Sequence, residues 1–157
     1  MSRLLVVIAI CLAVVVISAG CGQPPTPDNM SDVVVTLERG PCFGACPVYR
    51  LTVYGDGRVS YEGIRFVRIE GTRTATISED NVRQLIAEFY AIDYFSLHDE
   101  YTHADATDMP SATTSITIGG KTKTIIHYHG DFSTPDELTA LEDKIDEIVS
   151  TRQWVGQ

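Results

Sequence analysis

The chain has 157 residues, of which 12 are Lys or Arg and 21 are Asp or Glu, so its net charge is −9. This length leaves room for about one domain, and the 44% hydrophobic and 21% charged residues are those of an ordinary globular protein. The negative charge excludes a non-specific nucleic-acid binder, because such proteins gain most of their affinity from Lys and Arg at phosphates.

The first twenty residues are typical of an export signal. Arg3 precedes an unbroken apolar run, Leu4 to Ile17, and small residues fill positions 18–20. The run is shorter than the roughly 20 apolar residues of a membrane-spanning helix, and its length suits the core of a secretory signal. The small residues before Cys21 resemble the lipobox of bacterial lipoproteins, although Ser18 replaces the usual aliphatic residue. We predict a signal peptide over residues 1–20 and lipidation of Cys21.

Residues 21–31 predict a tether between the lipidated Cys21 and the folded domain. The segment holds three prolines and no apolar pattern, and such linkers are semi-extended, with a reach of roughly 30 Å here. An acidic domain is repelled by anionic headgroups, so acyl chains such as palmitate would supply the attachment. Gly22 resembles the outer-membrane sorting pattern of Gram-negative lipoproteins. We therefore expect an exported protein of the cell envelope, on the periplasmic face of the outer membrane in a Gram-negative host.

In the first half of the domain, apolar and polar residues alternate as they do in β-strands. We predict strands at Val33–Leu37, Val48–Tyr54 and Arg58–Glu62, and Gly55–Gly57 joins the last two as a hairpin because glycine permits a positive φ. Residues 64–70 and 72–77 are a further extended pair or one long bulged strand interrupted by Gly71.

The second half mixes helices and strands. Apolar residues at helical spacing predict a helix from the capping residue Ser78 to about Ile92. A long polar connection over 96–111 leads to a second hairpin, 113–118 and 121–128. Residues 134–137 form a predicted capping box, with Pro135 at the first position of the last helix. We predict a single α+β domain over residues 32–157, with an antiparallel sheet built from hairpins and two helices on one face.

Two cysteines remain in the mature domain, Cys42 and Cys46. In an exported protein this spacing favours a disulfide that closes the turn between the first two strands. The alternative is thiol-redox chemistry or a copper or zinc site, because Cys46-Pro47 resembles part of the motif of copper-delivery proteins. His127 and His129, two residues apart on one strand face, would then complete the ligands.

A set of residues spread over the whole domain resembles the bacterial family called domain of unknown function 6438. The central block is CFGACPVY at 42–49, and Arg39, Tyr61-Glu62-Gly63 and Trp154 agree with it. The resemblance implies an exported or lipoprotein domain, and it transfers no activity, ligand or catalytic residue.

The sequence contains no standard catalytic motif, and we predict a protein that is not an enzyme and carries no cofactor. The polar connection holds ligand types for a cation, including His98, His103 and Asp108, but its spacing matches no known loop. We expect a membrane-anchored lipoprotein that acts as a binding or structural module for an unknown envelope protein or ligand. The alternative is an envelope thiol-redox or copper/zinc-handling protein.

Overall fold

A computed structural model describes residues 30–156 of the chain. Seven strands and three α-helices follow one another, with short 3-10 helices at Met30–Asp32 and Tyr94–Ser96. The strands are β1 Val34–Arg39, β2 Val48–Tyr54, β3 Arg58–Arg65, β4 Gly71–Thr76, β5 Glu100–Tyr101, β6 Ser111–Ile118 and β7 Lys121–Tyr128. The helices are α1 Glu79–Ala91, α2 Asp136–Val149 and α3 Arg152–Val155.

The predicted signal peptide, Cys21 and most of the predicted tether lie outside the described residues. Met30 and Ser31, assigned to the tether from the sequence, begin the described part in a 3-10 helix. Met30 packs against the core, and its carbonyl accepts a hydrogen bond from the backbone N–H of Val33 at 3.1 Å. None of the described helices is both long enough and apolar enough to span a membrane.

All seven strands form one sheet in the order β4-β3-β2-β1-β6-β7-β5. The hairpins β1–β2, β2–β3, β3–β4 and β6–β7 are antiparallel, and β1 pairs with β6 to join the two halves of the chain. The exception to the predicted antiparallel pattern is β5, whose two residues run parallel to β7. This strand lies in the segment predicted as a polar connection, since two residues are too few to show an alternating pattern.

One face of the sheet is buried under the helices. Alternate residues of the strands point to this face and are at most 6% exposed, among them Val35, Leu37, Leu51, Val53, Ile116, Ile118 and Ile125. Helix α1 buries Val82, Leu85, Ile86 and Phe89, and α2 buries Leu138, Leu141, Ile145 and Val149. The apolar side chains of both helices belong to one core with those of the strands. The predicted α+β class is therefore confirmed.

The connection between β3 and β4 is held by the C-terminal end of the chain. The backbone N–H groups of Arg68 and Ile69 donate to the carbonyls of Val155 and Trp154, both at 2.9 Å. The Trp154 ring stacks on Tyr61 of β3 with the ring centroids 4.9 Å apart. Residues 64–77 thus form neither of the two arrangements predicted, because β3 ends at Arg65, residues 66–70 form a connection, and β4 pairs with residues 58–63 of β3.

The two long helices begin differently. At α1 the hydroxyl of Ser78 accepts a hydrogen bond from the Asn81 backbone N–H at 3.2 Å, as predicted. The capping box predicted for α2 is wrong, because Thr134 Oγ1 is buried without a hydrogen-bond partner among the described residues and no side chain caps this helix. The turn before α2 is held by Asp131, which accepts hydrogen bonds from the Ser133 backbone N–H and hydroxyl.

Candidate functional site

A row of residues crosses the buried face near one end of the sheet. The strand register aligns Tyr49 with Arg39, Arg39 with Ala112 and Ala112 with His127. Each of these positions continues the inward alternation of its strand, so the side chains face α2. Ala112 is small, and Glu142 of α2 contacts both Arg39 and His127 across it. The row therefore places charged groups on a face that is otherwise mostly apolar.

Arg39 joins β1 to the acidic side of α2. Its Nη1 donates to Glu142 Oε2 at 3.1 Å, and its Nε and Nη2 donate to Asp146 Oδ2 at 3.2 and 3.0 Å. Its Nη2 also donates to the exposed Asp143 at 2.9 Å. The Arg39 side chain is 16% exposed and that of Glu142 is 0% exposed. This is a mainly buried ion-pair network, which differs physically from a surface salt bridge.

Glu142 is the most buried charged group of the site, and two histidines share it with Arg39. His127 Nδ1 lies 2.7 Å from its Oε1, and His129 Nε2 lies 3.1 Å from its Oε2. Burial raises the pKa of Glu142, but the hydrogen bonds from both histidines and the charge of Arg39 outweigh burial and hold the pKa below its ordinary value. Glu142 is therefore ionised inside the protein, and each histidine ring donates a hydrogen bond to it.

The imidazole rings of His127 and His129 stack on each other with their centroids 4.2 Å apart. They are two residues apart at the end of β7, and a strand places such residues on the same face. His127 is 3% exposed and the His129 side chain is 19% exposed. One ring is thus enclosed, and the other reaches the surface of the site.

Asp146 carries the second half of the network. Its Oδ1 accepts hydrogen bonds from the Tyr49 hydroxyl at 2.7 Å and from Thr151 Oγ1 at 2.8 Å, while Arg39 occupies Oδ2. Burial and the neighbouring Asp146 raise the pKa of Tyr49 far above its ordinary value, so the phenol stays a hydrogen-bond donor. Burial lowers the pKa of Arg39, but Asp146 and its other anionic neighbours raise it more, and the guanidinium stays charged.

The loop between β1 and β2 lies beside this network. The structure joins Cys42 and Cys46 in a disulfide with their Cα atoms 5.7 Å apart. The backbone N–H of Phe43 donates to the Asp108 carbonyl at 3.2 Å, which ties the loop to the connection before β6. The Phe43 side chain is 84% exposed. The loop thus exposes an aromatic ring to solvent, while the disulfide and the hydrogen bond to Asp108 constrain its backbone.

A cavity of about 220 Å³ opens between the loop and the network. Its lining includes Arg39, Cys46, Pro47, His129 and Asp146. A wider groove of about 950 Å³ adjoins it and shares Pro47, Tyr49, Asp146 and Val155 with it. The groove continues to two cations, Arg68 and Arg152. The polar network is therefore reachable from solvent.

Among the described residues, the four residues of the alternative metal site do not form one group of ligands, although Cys46 and His129 line the same cavity. The sulfur atoms of Cys42 and Cys46 are bonded to each other, and His127 and His129 meet Glu142 instead. In the polar connection over 96–111, Asp99 pairs with Lys123 of β7, and His103 pairs with Asp105. Within residues 30–156, no three potential ligands of that connection come close enough together to hold a metal. Cys21 lies outside the described residues.

Glu142 and the partners of Arg39 were not predicted from the sequence. A signal was present, because Glu142 follows Leu138 by four residues and precedes Ile145 by three, on the apolar stripe of α2. A charged residue on such a stripe is almost never buried unless it is paired. The position therefore indicates a buried partner, although it does not say which strand supplies it.

Fold and site together define a two-layer α+β domain with a buried His–Glu–Arg network beside a disulfide-closed loop. The model of the family described as domain of unknown function DUF6438 matches residues 33–149. The chain therefore belongs to this family, as the CFGACPVY block predicted. No curated protein matches the chain.

Proposed function

We propose that this protein is a membrane-anchored lipoprotein whose exported domain is a non-catalytic binding module of the cell envelope. The sequence supports lipid anchoring at Cys21. The apolar leader, the small residues before Cys21 and the proline-containing tether follow one another in the order that a lipoprotein requires.

The observation that carries the binding role is the exposure of Phe43 on a constrained loop. Aromatic residues are enriched at the centres of protein interfaces because they bury a large area with few rotatable bonds. The disulfide and the hydrogen bond to Asp108 order the loop in the free protein. A partner that covers Phe43 would therefore order little additional backbone on binding.

Other apolar side chains stand on connections at the same end of the sheet. Met109, in the connection before β6, is 41% exposed, and Phe132, after β7, is 74% exposed. The backbone N–H of Phe132 donates to Asp105 at 2.9 Å, which links these two connections. We call Phe43, Met109 and Phe132 the apolar rim. With the net charge of −9, the rim favours a protein partner with an apolar surface and basic residues around it.

Site-specific photo-crosslinking in the protein's own cell envelope tests this proposal. A photoreactive phenylalanine analogue replaces Phe43 in the full chain, and the matched control carries the same analogue at Asp56, in the turn at the opposite end of the sheet. We expect a discrete crosslinked product at position 43 that is absent at position 56. The same products at both positions, or none at position 43, would contradict the binding role.

A further inference from the structure

The network on Glu142 contains a set of metal ligands. One ligand atom from each of His127, His129 and Glu142 lies within 4.8 Å of the others. Two imidazoles and one carboxylate bind Zn²⁺ and related transition metals. We propose that these three residues form a binding site for one divalent transition-metal ion of the zinc class. The site differs from the cysteine-containing site considered from the sequence, and its third ligand comes from helix α2.

The spacing of the ligand atoms suits one ion. His127 Nδ1 and Glu142 Oε1 are 2.7 Å apart, and His129 Nε2 and Glu142 Oε2 are 3.1 Å apart. In a tetrahedral site, nitrogen and oxygen ligands at roughly 2.0–2.2 Å from Zn²⁺ stand roughly 3.3–3.6 Å from each other, which is a few tenths of an ångström wider than these pairs. The ion therefore needs only small side-chain movements to replace the hydrogen bonds. A neutral imidazole can carry its proton on either ring nitrogen. Replacing the hydrogen bond by a metal bond therefore needs a change of tautomer and leaves the charge of the ring unaltered.

The charges around the ligands favour a cation. Among residues 30–156, Arg39 is the one Lys or Arg that contacts Glu142, Asp143 and Asp146, so these four residues sum to −2 when both imidazoles are neutral. A divalent ion balances this charge. Arg39 also ties the middle of α2 to the sheet through Glu142 and Asp146, and such supporting contacts orient metal ligands.

The ion has a route to the site. His129 lines the cavity of about 220 Å³ together with Arg39, Cys46 and Pro110. The cavity is large enough for water, which would complete the coordination. The coordination position left for water distinguishes this arrangement from a structural zinc site, in which the protein supplies all four ligands.

Metal titration of the full chain tests the proposal. The tag-free protein is purified in detergent, stripped with a chelator and titrated with Co²⁺, whose absorption bands report its coordination. We expect one equivalent to bind. His129→Gln should weaken binding by more than the roughly 10- to 100-fold that loss of a supporting residue costs. His103→Gln is the matched control, because the His103 side chain is 77% exposed and pairs only with Asp105 among the described contacts.

A second measurement keeps the test decisive if the variant at His129 does not fold. Electron paramagnetic resonance of the unmodified chain with one equivalent of Cu²⁺ should show two imidazole nitrogens and no sulfur ligand. The proposal fails if the unmodified chain binds no ion, if the two histidine variants lose affinity equally, or if the Cu²⁺ spectrum shows fewer than two imidazoles. None of these results depends on the apolar rim, so the binding role is tested separately.

Discussion

Arg39 and Arg50 are a matched pair of arginines in different surroundings. Each contacts more than one carboxylate, but the Arg39 side chain is 16% exposed, whereas that of Arg50 is 54% exposed. Removing one partner of a buried ion pair costs about 3–5 kcal/mol because a charge is left without compensation. Exposed pairs contribute about 1 kcal/mol or less.

We therefore predict that Arg39→Met lowers the free energy of unfolding by about 3–5 kcal/mol. Arg50→Met, which removes only contacts with the exposed Glu38 and Glu62, should lower it far less, because exposed ion pairs are screened by solvent. Urea unfolding of both variants, monitored by circular dichroism, measures the difference. Equal losses would contradict the view that burial makes the Arg39 network important for stability.

Asp131 makes the stability depend on pH. The side-chain and backbone hydrogen bonds from Ser133, together with the one from the His103 backbone N–H, lower the pKa of Asp131 against the opposing effect of burial. A carboxyl whose pKa is lower in the folded state stabilises the protein above its unfolded pKa of 3.8. This stabilisation is lost as the pH falls through the lower folded-state pKa.

We predict that Asp131→Asn makes the free energy of unfolding fall less steeply with decreasing pH below about pH 5. Ser133→Ala, which removes the hydroxyl donor but keeps the backbone donor, should have an intermediate slope. Urea unfolding at a series of pH values gives the three slopes. Identical slopes for the unmodified chain and both variants would show that these hydrogen bonds do not favour the ionised carboxyl.

At the scale of elements, the beginnings of α1 and α2 differ although both look capped in the sequence. Ser78 caps α1, whereas Thr134 Oγ1 makes no hydrogen bond to α2. Ser78→Ala should therefore cost about 1 kcal/mol of unfolding free energy, the usual contribution of such a cap. Thr134→Val should be neutral or slightly stabilising, because it removes a buried hydroxyl that has no partner in the described part of the chain and keeps the shape of the side chain. Thermal unfolding compares the two, and a larger loss at Thr134 would contradict this account.

Elements with strong local patterns were predicted well. Helix α1 begins at Glu79 and ends at Ala91, within one residue of the predicted limits, because its apolar spacing and its cap are both local. Strand β5 was missed because its structure comes from pairing with β7, about 26 residues away along the chain. The prediction of a capping box for α2 was wrong because Asp131, which lies outside the motif, holds the preceding turn through its hydrogen bonds with Ser133.

At the scale of the whole molecule, we predict that Cys21 attaches the protein to the membrane. Cys21→Ser should move the protein from the membrane fraction to the soluble envelope fraction and abolish labelling by a radioactive fatty acid. The acidic domain has little affinity of its own for anionic headgroups, so it should not replace the acyl chains. The double variant Cys42→Ser/Cys46→Ser is the control and should stay in the membrane fraction. A Cys21→Ser variant that remains there would contradict lipid anchoring.

The class of fold, the family and most of the helices and strands follow from local information in the chain. Alternation, helical spacing, turn glycines and the CFGACPVY block each involve residues within a few positions of one another, so they can be recognised without coordinates. The site is different. Arg39, His127 and Glu142 are separated by up to 103 positions and meet only because β1 pairs with β6 and α2 crosses the buried face. The folded sheet therefore decided that the histidines share a carboxylate with an arginine, since burial and non-local pairing are properties of the whole structure.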